Sequence, residues 1–276
     1  MGPAAGRAAS RVAATRAVGP AAGRPVSHAA GRVSGPLEGR HALVTGAGRG
    51  LGRGAAIALA HAGAAITLLA RSRDELDAVA AEIGGARVEV ADVRDEEQVE
   101  RAVAAAAPVD ILVTAAGLNR PGPTADYATA DWDLLVDVNL RGTFLVCRAV
   151  GRCMLERGCG GRIVTVSSQM GAVGYPGRAA YCATKHAVNG LTKALAVEWA
   201  PHGIGVNAVA PTFVRTPMTE PMLADPDFAA EVRRRLPTGE VATVEEVAAA
   251  IVYLASDAAR SVTGHVLAVD GGWTAW

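Results

Sequence analysis

The sequence predicts an α/β fold: a doubly wound, parallel sheet of seven strands with helices on both faces. Three observations predict it. From His41 onward, short runs rich in Val, Ile and Leu alternate with helical stretches of ten residues or more. The first run ends in a glycine-rich turn, TGAGRGLG at residues 45–52, that opens a helix. The chain has 276 residues, half of them hydrophobic, which is enough for one large core. Aromatics make up only 4%, so that core must be built from Ala, Val, Leu and Ile.

Taken in order, HALVT (41–45) reads as a buried strand, followed by a helix to about His61. AITLLA (65–70) is the second strand. Ser72 and Glu75 have capping-box spacing and open a helix toward Ile83. ARVEV (86–90) is the third strand, and the acidic stretch Asp95–Glu97 suits the start of the next helix through its dipole. VDILVT (109–114) is the fourth strand, followed by a long helix from about Asp131 to Glu156. RIVTVS (162–167) is the fifth, with a helix from about Ala179 to Ala200 after it. VNAVA (206–210) and HVLAV (265–269) are the sixth and seventh, and Thr243 and Glu246 cap a helix between them. Right-handed crossovers turn this alternation into a Rossmann-like sheet. Residues 211–240 break the pattern: five prolines, Pro211, Pro217, Pro221, Pro226 and Pro237, interrupt a mixed segment after a strand's carboxyl end, where a substrate lid is expected.

Two regions are expected. Residues 1–37 are Gly, Ala, Arg, Pro and Ser-rich, repeat GPAAGR at 2–7 and 19–24, and have little to bury, so a disordered tail is expected there. An extension from an early start site, a transit peptide and a partner-binding arm are the readings of that tail. Residues 38–276 form the single folded domain. The tail carries five arginines and no acid, so the net charge of zero leaves −5 on the rest. Neither nucleic acid nor a membrane surface is implied as a partner by this balance. No apolar run approaches the roughly 18–20 residues of a membrane span, and no secretory apolar stretch stands at the N-terminus, so a cytoplasmic protein is expected. Cys147, Cys153, Cys159 and Cys182 make no C-x-x-C pair, so free thiols and no metal site are expected.

The glycine turn carries the first chemical inference. Gly46, Gly50 and Gly52 let the backbone turn and approach a pyrophosphate, whose charge faces the helix N-terminus. Where an NAD site usually has an acid at the end of the second strand, this chain has Ala70, Arg71 and Ser72. An arginine suits a 2′-phosphate, and Arg49, inside the glycine turn, is a second candidate to help, so NADP(H) is favoured over NAD(H). Asp92, just past the third strand, is placed to accept from an adenine amino group.

The second inference starts from lysine, which occurs only twice, as Lys185 and Lys193, among many arginines. In YCATK (181–185), Tyr181 and Lys185 share one helix face at i and i+4. A free tyrosine has a pKa of about 10; a neighbouring ammonium favours the phenolate and lowers it. Ser168 lies thirteen residues before Tyr181, at the end of a strand, and Asn139 sits in VDVNL.

With these motifs together, residues 38 to 276 resemble the short-chain dehydrogenase/reductase family. The resemblance implies that Tyr181 is the acid/base acting on the substrate oxygen and that Lys185 lowers its pKa and binds the nicotinamide ribose. Ser168, rather than Ser167, orients the substrate oxygen, and Asn139 holds a water for a proton relay through Lys185. Leu51, Val93, Ala116, Gly117, Pro211, Val214 and Thr216 join the glycine turn, Arg71, Ser72 and Asp92 around the cofactor. TAAG (114–117) departs from the family's N-N-A-G at Thr114 and Ala116, and Thr212 replaces the glycine of P-G-x-x-x-T. VDGGW (269–273) resembles the C-terminal strand and turn that support a homotetramer, with a homodimer as the other oligomer. Substrate residues are expected at Arg120, Gln169, Tyr175 and Phe213, with Asn119, Met170 and Met218 nearby. Arg120 suits a carboxylate, and NRP after the AAG turn is similar to sugar-acid and polyol dehydrogenases. Two other readings stand beside that one: a 3-oxoacyl-(acyl-carrier-protein) reductase, for which Arg233–Arg235 would be a docking patch, and a non-catalytic dinucleotide sensor.

Overall fold

The structure is a computed structural model and describes residues 35–275. The expectations for the tail fall on residues 1–34, outside the described residues. Residues 35–37, placed in the tail on composition, belong to the folded region: Leu37 is completely buried, and its N–H donates to the Ala62 carbonyl at 2.9 Å.

Seven strands form one sheet: β1 (His41–Thr45), β2 (Ala65–Ala70), β3 (Arg87–Val90), β4 (Ile111–Thr114), β5 (Gly161–Val166), β6 (Ile204–Pro211) and β7 (Val266–Val269). Their order is β3-β2-β1-β4-β5-β6-β7 and every pairing is parallel. The order reverses between β1 and β4, so a crevice opens at their carboxyl ends.

The helices are α1 (Gly50–His61), α2 (Arg73–Glu82), α3 (Glu96–Ala106), α4 (Thr129–Leu135), α5 (Gly142–Arg157), α6 (Ala179–Trp199), α7 (Glu220–Leu223), α8 (Pro226–Arg234) and α9 (Val244–Ala255). Alternate strand residues feed two aliphatic cores, as the period of two requires. Ala42, Val44, Ile111 and Val113 pack with α1, α2 and α9 on one face. Leu43, Leu112, Ile163 and Val206 pack with α3, α5 and α6 on the other. Because both faces are covered, the five inner strands read as nearly continuous apolar runs, whereas the edge strands β3 and β7 are only partly buried.

Two expectations are corrected. The long helix proposed for 131–156 is divided: a π-helical turn, Val136–Arg141, separates α4 from α5 and carries Asn139. Hydrophobic periodicity does not register one wide turn, yet such turns often mark functional positions. The lid region is also more ordered than its prolines suggest. It contains α7 and α8, and Phe213, Val232 and Leu236 join a third, aromatic-rich cluster with Tyr175, Tyr181, Phe228 and Trp273.

Candidate active site

A cleft of about 660 Å³ opens at the carboxyl ends of the central strands. Its glycine wall follows from space. Gly46 has φ +65°, and a Cβ there would lie 2.7 Å from the Ala116 nitrogen; one on Gly52 would lie 2.2 Å from the Gly46 carbonyl oxygen. Neither position has room for a side chain. The N-cap of α1, Arg49, makes no side-chain cap bond, and the first turn holds no acid. The helix therefore presents its unpaired N–H groups to the cleft, a setting that fits an anionic pyrophosphate.

At the adenosine end, Arg71 is exposed at the close of β2 and has no ion-pair partner among the described residues. Ser72 caps α2 by accepting from the Glu75 N–H at 3.4 Å, but the return arm of the expected capping box is not made. The Glu75 carboxylate turns toward Gly48 and Arg49 instead, with Arg49 Nη1 at 3.8 Å. Asp92 differs from expectation. Its carboxylate accepts from Arg94 Nε at 3.0 and 3.1 Å and from Nη2 at 2.7 Å, and from the Arg94 backbone N–H at 3.0 Å. Those bonds from Arg94 hold Asp92 below the usual carboxylate range, so both its oxygens are already engaged before any adenine arrives.

At the reacting end, Ser168, Tyr181 and Lys185 line the cleft together. Lys185 is buried, donates from Nζ to the Val166 carbonyl at 2.8 Å and lies 5.6 Å above the centre of the Tyr181 ring. With the protein's own groups alone, burial dominates both residues. It pushes the Tyr181 phenol up to about 12, with the Ser168 hydroxyl and then Arg178 pulling the other way. It draws Lys185 down to about 8. In the protein alone the neighbouring ammonium does not offset the burial of the phenol. Ser167 is committed elsewhere, its hydroxyl donating to the Lys185 backbone carbonyl at 3.4 Å, which leaves Ser168 to face Tyr181.

Asn139 is fully buried and does not line the cleft. Its amide clamps Leu118, accepting from the N–H at 2.8 Å and donating to the carbonyl at 2.9 Å, and reaches Thr184 Oγ1 at 3.2 Å. The Asn139 side chain is therefore occupied in fixing the loop after β4. The backbone carbonyl of Asn139 accepts from Thr143 Oγ1 at 2.8 Å. Where Thr114 and Ala116 replace asparagines, Thr45 Oγ1 accepts from the Ala116 N–H at 3.3 Å.

All the remaining expected cofactor residues line the cleft: Gly46, Arg49, Gly50, Leu51, Gly52, Arg71, Ser72, Val93, Ala116, Gly117, Pro211, Val214 and Thr216. Glu75 and Thr219 line it too and were not foreseen. The four expected substrate residues do not line it. Phe213 is packed against Tyr175 and Trp273 at ring-centre separations of 5.8 and 5.9 Å. Arg120 is paired with Asp131, and so departs from its expected carboxylate role. Gln169 is buried beside Ser168 with neither amide atom partnered. Arg178, three residues before Tyr181, is not among the expected site residues, although GRAAY displays it at the start of the helix that carries Tyr181.

A parallel doubly wound sheet, a glycine turn without room for side chains and an adjoining Ser–Tyr–Lys set fit a nicotinamide-dependent oxidoreductase. Comparison with known proteins gives the family. A family model described as enoyl-(acyl carrier protein) reductase matches residues 46–274. Gluconate 5-dehydrogenase of Gluconobacter oxydans is 41% identical, over 86% of this chain and 96% of that protein. Galactitol 2-dehydrogenase (L-tagatose-forming) of Cereibacter sphaeroides is 44% identical, over 87% of this chain and 97% of that protein. Among solved structures, a gluconate 5-dehydrogenase of Burkholderia cenocepacia, in complex with NADP and tartrate, superposes with a TM-score of 0.84 at 38% identity, covering 87% of this chain and 97% of that one. The chain belongs to the short-chain dehydrogenase/reductase family and is an NAD(P)-dependent oxidoreductase. Among the described residues, no helix is long and apolar enough to cross a membrane, and no cluster of metal-ligating side chains occurs.

Proposed function

We propose that this enzyme interconverts a carbonyl and a secondary alcohol on a small polar substrate of the sugar, polyol or keto-acid kind, with NADP(H) preferred. The observation that carries the substrate class is a buried polar atom without a partner on the cleft wall, Oδ1 of Asn119, with both amide atoms of Gln169 also unpartnered behind the lining, next to Ser168 in the chain. Buried polar atoms are costly unless paired, and a substrate rich in hydroxyls would pair them. The relatives point the same way, since those named above act on a sugar acid and a hexitol.

In this reading the bound cofactor supplies or accepts a hydride at nicotinamide C4. Tyr181 Oη gives its proton to the carbonyl oxygen in reduction and takes it back in oxidation, while the Ser168 hydroxyl orients that oxygen. Lys185 holds the nicotinamide ribose and adds positive charge near the phenol. Arg71, with Arg49 beside the turn, reads the 2′-phosphate. The decisive test is NADPH oxidation across keto-sugars, keto-acids and a 3-oxoacyl thioester, repeated with NADH. Turnover of the polar carbonyls with NADPH is expected. Exclusive turnover of the thioester would replace this reading with an acyl-chain reductase, for which the exposed Arg233 and Arg234 would be the docking charges.

A further inference from the structure

Arg178 is the N-cap residue of α6, one turn ahead of Tyr181, and is only 7% exposed. A buried guanidinium ordinarily meets a carboxylate. This one does not. Its Nη1 donates to the Gly177 carbonyl at 3.2 Å, its Nη2 points at the Met222 thioether at 2.9 Å, and its Nε has no partner. The titratable groups around it are Tyr175, Cys182, Tyr181 and Tyr127, three phenols and a thiol with no carboxylate among them. A thioether is a weak acceptor for such a donor. Arg178 and Met222 lie behind the cleft lining rather than on it, where three segments meet. Gly122 of the loop after β4 bonds to Gly177 at 3.0 Å, Met222 belongs to lid helix α7, and Tyr181 follows on α6.

We infer that Arg178 is the substrate-anchoring residue, and that the substrate is a small hydroxy- or keto-acid whose carboxylate takes the place of the Met222 sulfur on the guanidinium. This rests on the polar-substrate reading above and narrows it. A neutral polyol would leave a buried cation uncompensated in the complex, whereas a carboxylate would pair with it through two charge-assisted hydrogen bonds. The reacting carbon lies further along the same molecule, at Ser168 and Tyr181. Arg120, the arginine that sequence favoured for this role, already has its carboxylate in Asp131.

The test uses the full chain with NADP⁺ and pairs of substrates that differ only at the terminal carbon: D-gluconate with D-glucitol, and D-galactonate with D-galactitol. The acid of a pair is expected to be preferred by about 30–100-fold in kcat/KM. Arg178→Gln should remove most of that preference through KM, and Arg178→Lys should restore part of it. In the same samples with NADP⁺, the acid should raise the Tm of the parent and not that of Arg178→Gln. Without substrate, Arg178→Met should melt no lower than the parent, because it removes an unpaired buried charge. Turnover of the alditols alone, equal losses on acid and alditol, or a lowered Tm in Arg178→Met would each overturn the inference while leaving the polar-substrate reading intact. Turnover of the 3-oxoacyl thioester alone would overturn both.

Discussion

The two ends of the cleft are built differently. The cofactor end is made of main chain: glycines without room for a Cβ, strand termini and the N-terminus of α1. The substrate end is made of side chains. Five of the eleven aromatic residues, Tyr175, Tyr181, Phe213, Phe228 and Trp273, gather there, while the two sheet cores are aliphatic apart from Trp199. The difference separates what a motif can specify from what it cannot. A backbone cradle follows from residue type and order; a side-chain pocket depends on which residues from distant segments already satisfy one another.

The largest effect available falls where the two ends meet. Tyr181→Phe should lower kcat by about 10³–10⁴-fold, within or near the span of general acid–base catalysis, and leave NADPH affinity within about twofold, because the cofactor end keeps every backbone contact. Single-turnover kinetics and a fluorescence titration measure the two halves separately. A variant turning over at the parent rate would remove Tyr181 from the chemistry. The same phenol sets the pH dependence. Burial raises it to about 12 in the protein alone, so alcohol oxidation, which needs the phenolate, should accelerate as pH rises, and carbonyl reduction, which needs the phenol, should not.

Smaller, and confined to the cofactor end, is Arg71→Ser. It should weaken NADPH by about 10–100-fold and NADH by less than about twofold, as expected for loss of charge-assisted bonds to a single phosphate. Equal losses on both cofactors would mean that Arg71 touches only what they share.

Next comes stability. Burial lowers Lys185 from 10.5 to about 8. Between those values the unfolded chain binds more protons than the folded one, so stability rises with pH across that window, and the full burden is felt below pH 8. Lys185→Met should therefore raise stability at pH 7 by about 1–2 kcal/mol, after loss of the bond to Val166. The advantage should shrink toward pH 10, as followed by urea melts. An advantage independent of pH would show that shape rather than charge is responsible.

Much of the fold was legible. All seven strands fall where they were expected, and the five inner ones read as apolar runs because a doubly covered sheet imprints continuous hydrophobicity on them. The divided helix was not legible, since one π turn leaves the apolar rhythm of 131–156 nearly intact. At the site, spacing within one helix brought Tyr181 and Lys185 together correctly, and the strand ends delivered the residues around the glycine turn. Partnership across segments was hidden. Nothing adjacent in sequence shows that Arg94 occupies Asp92, that Asp131 occupies Arg120, or that Arg178 is left without an acid.

The smallest prediction concerns two capping boxes that look alike in sequence. Thr243 and Glu246 make both arms: the Glu246 N–H donates to Thr243 Oγ1 at 3.1 Å, and the Thr243 N–H donates to the Glu246 carboxylate at 2.8 Å. Ser72 and Glu75 make only the first, because the Glu75 carboxylate is drawn across to Gly48 and Arg49. Glu75 thereby brings a negative charge into the corner where, on the proposed NADP(H) reading, Arg49 and Arg71 would meet a 2′-phosphate. It orders Arg49 while opposing the group that Arg49 would bind. Both partners are well exposed, so water and salt weaken the effect. Glu75→Gln should tighten NADPH by about two- to fivefold, leave NADH unchanged, and lose that gain near 1 M salt, where the screening length is about 3 Å. A weaker NADPH complex would instead mean that holding Arg49 in place outweighs the repulsion, and that the half-made box is the price of an ordered phosphate reader.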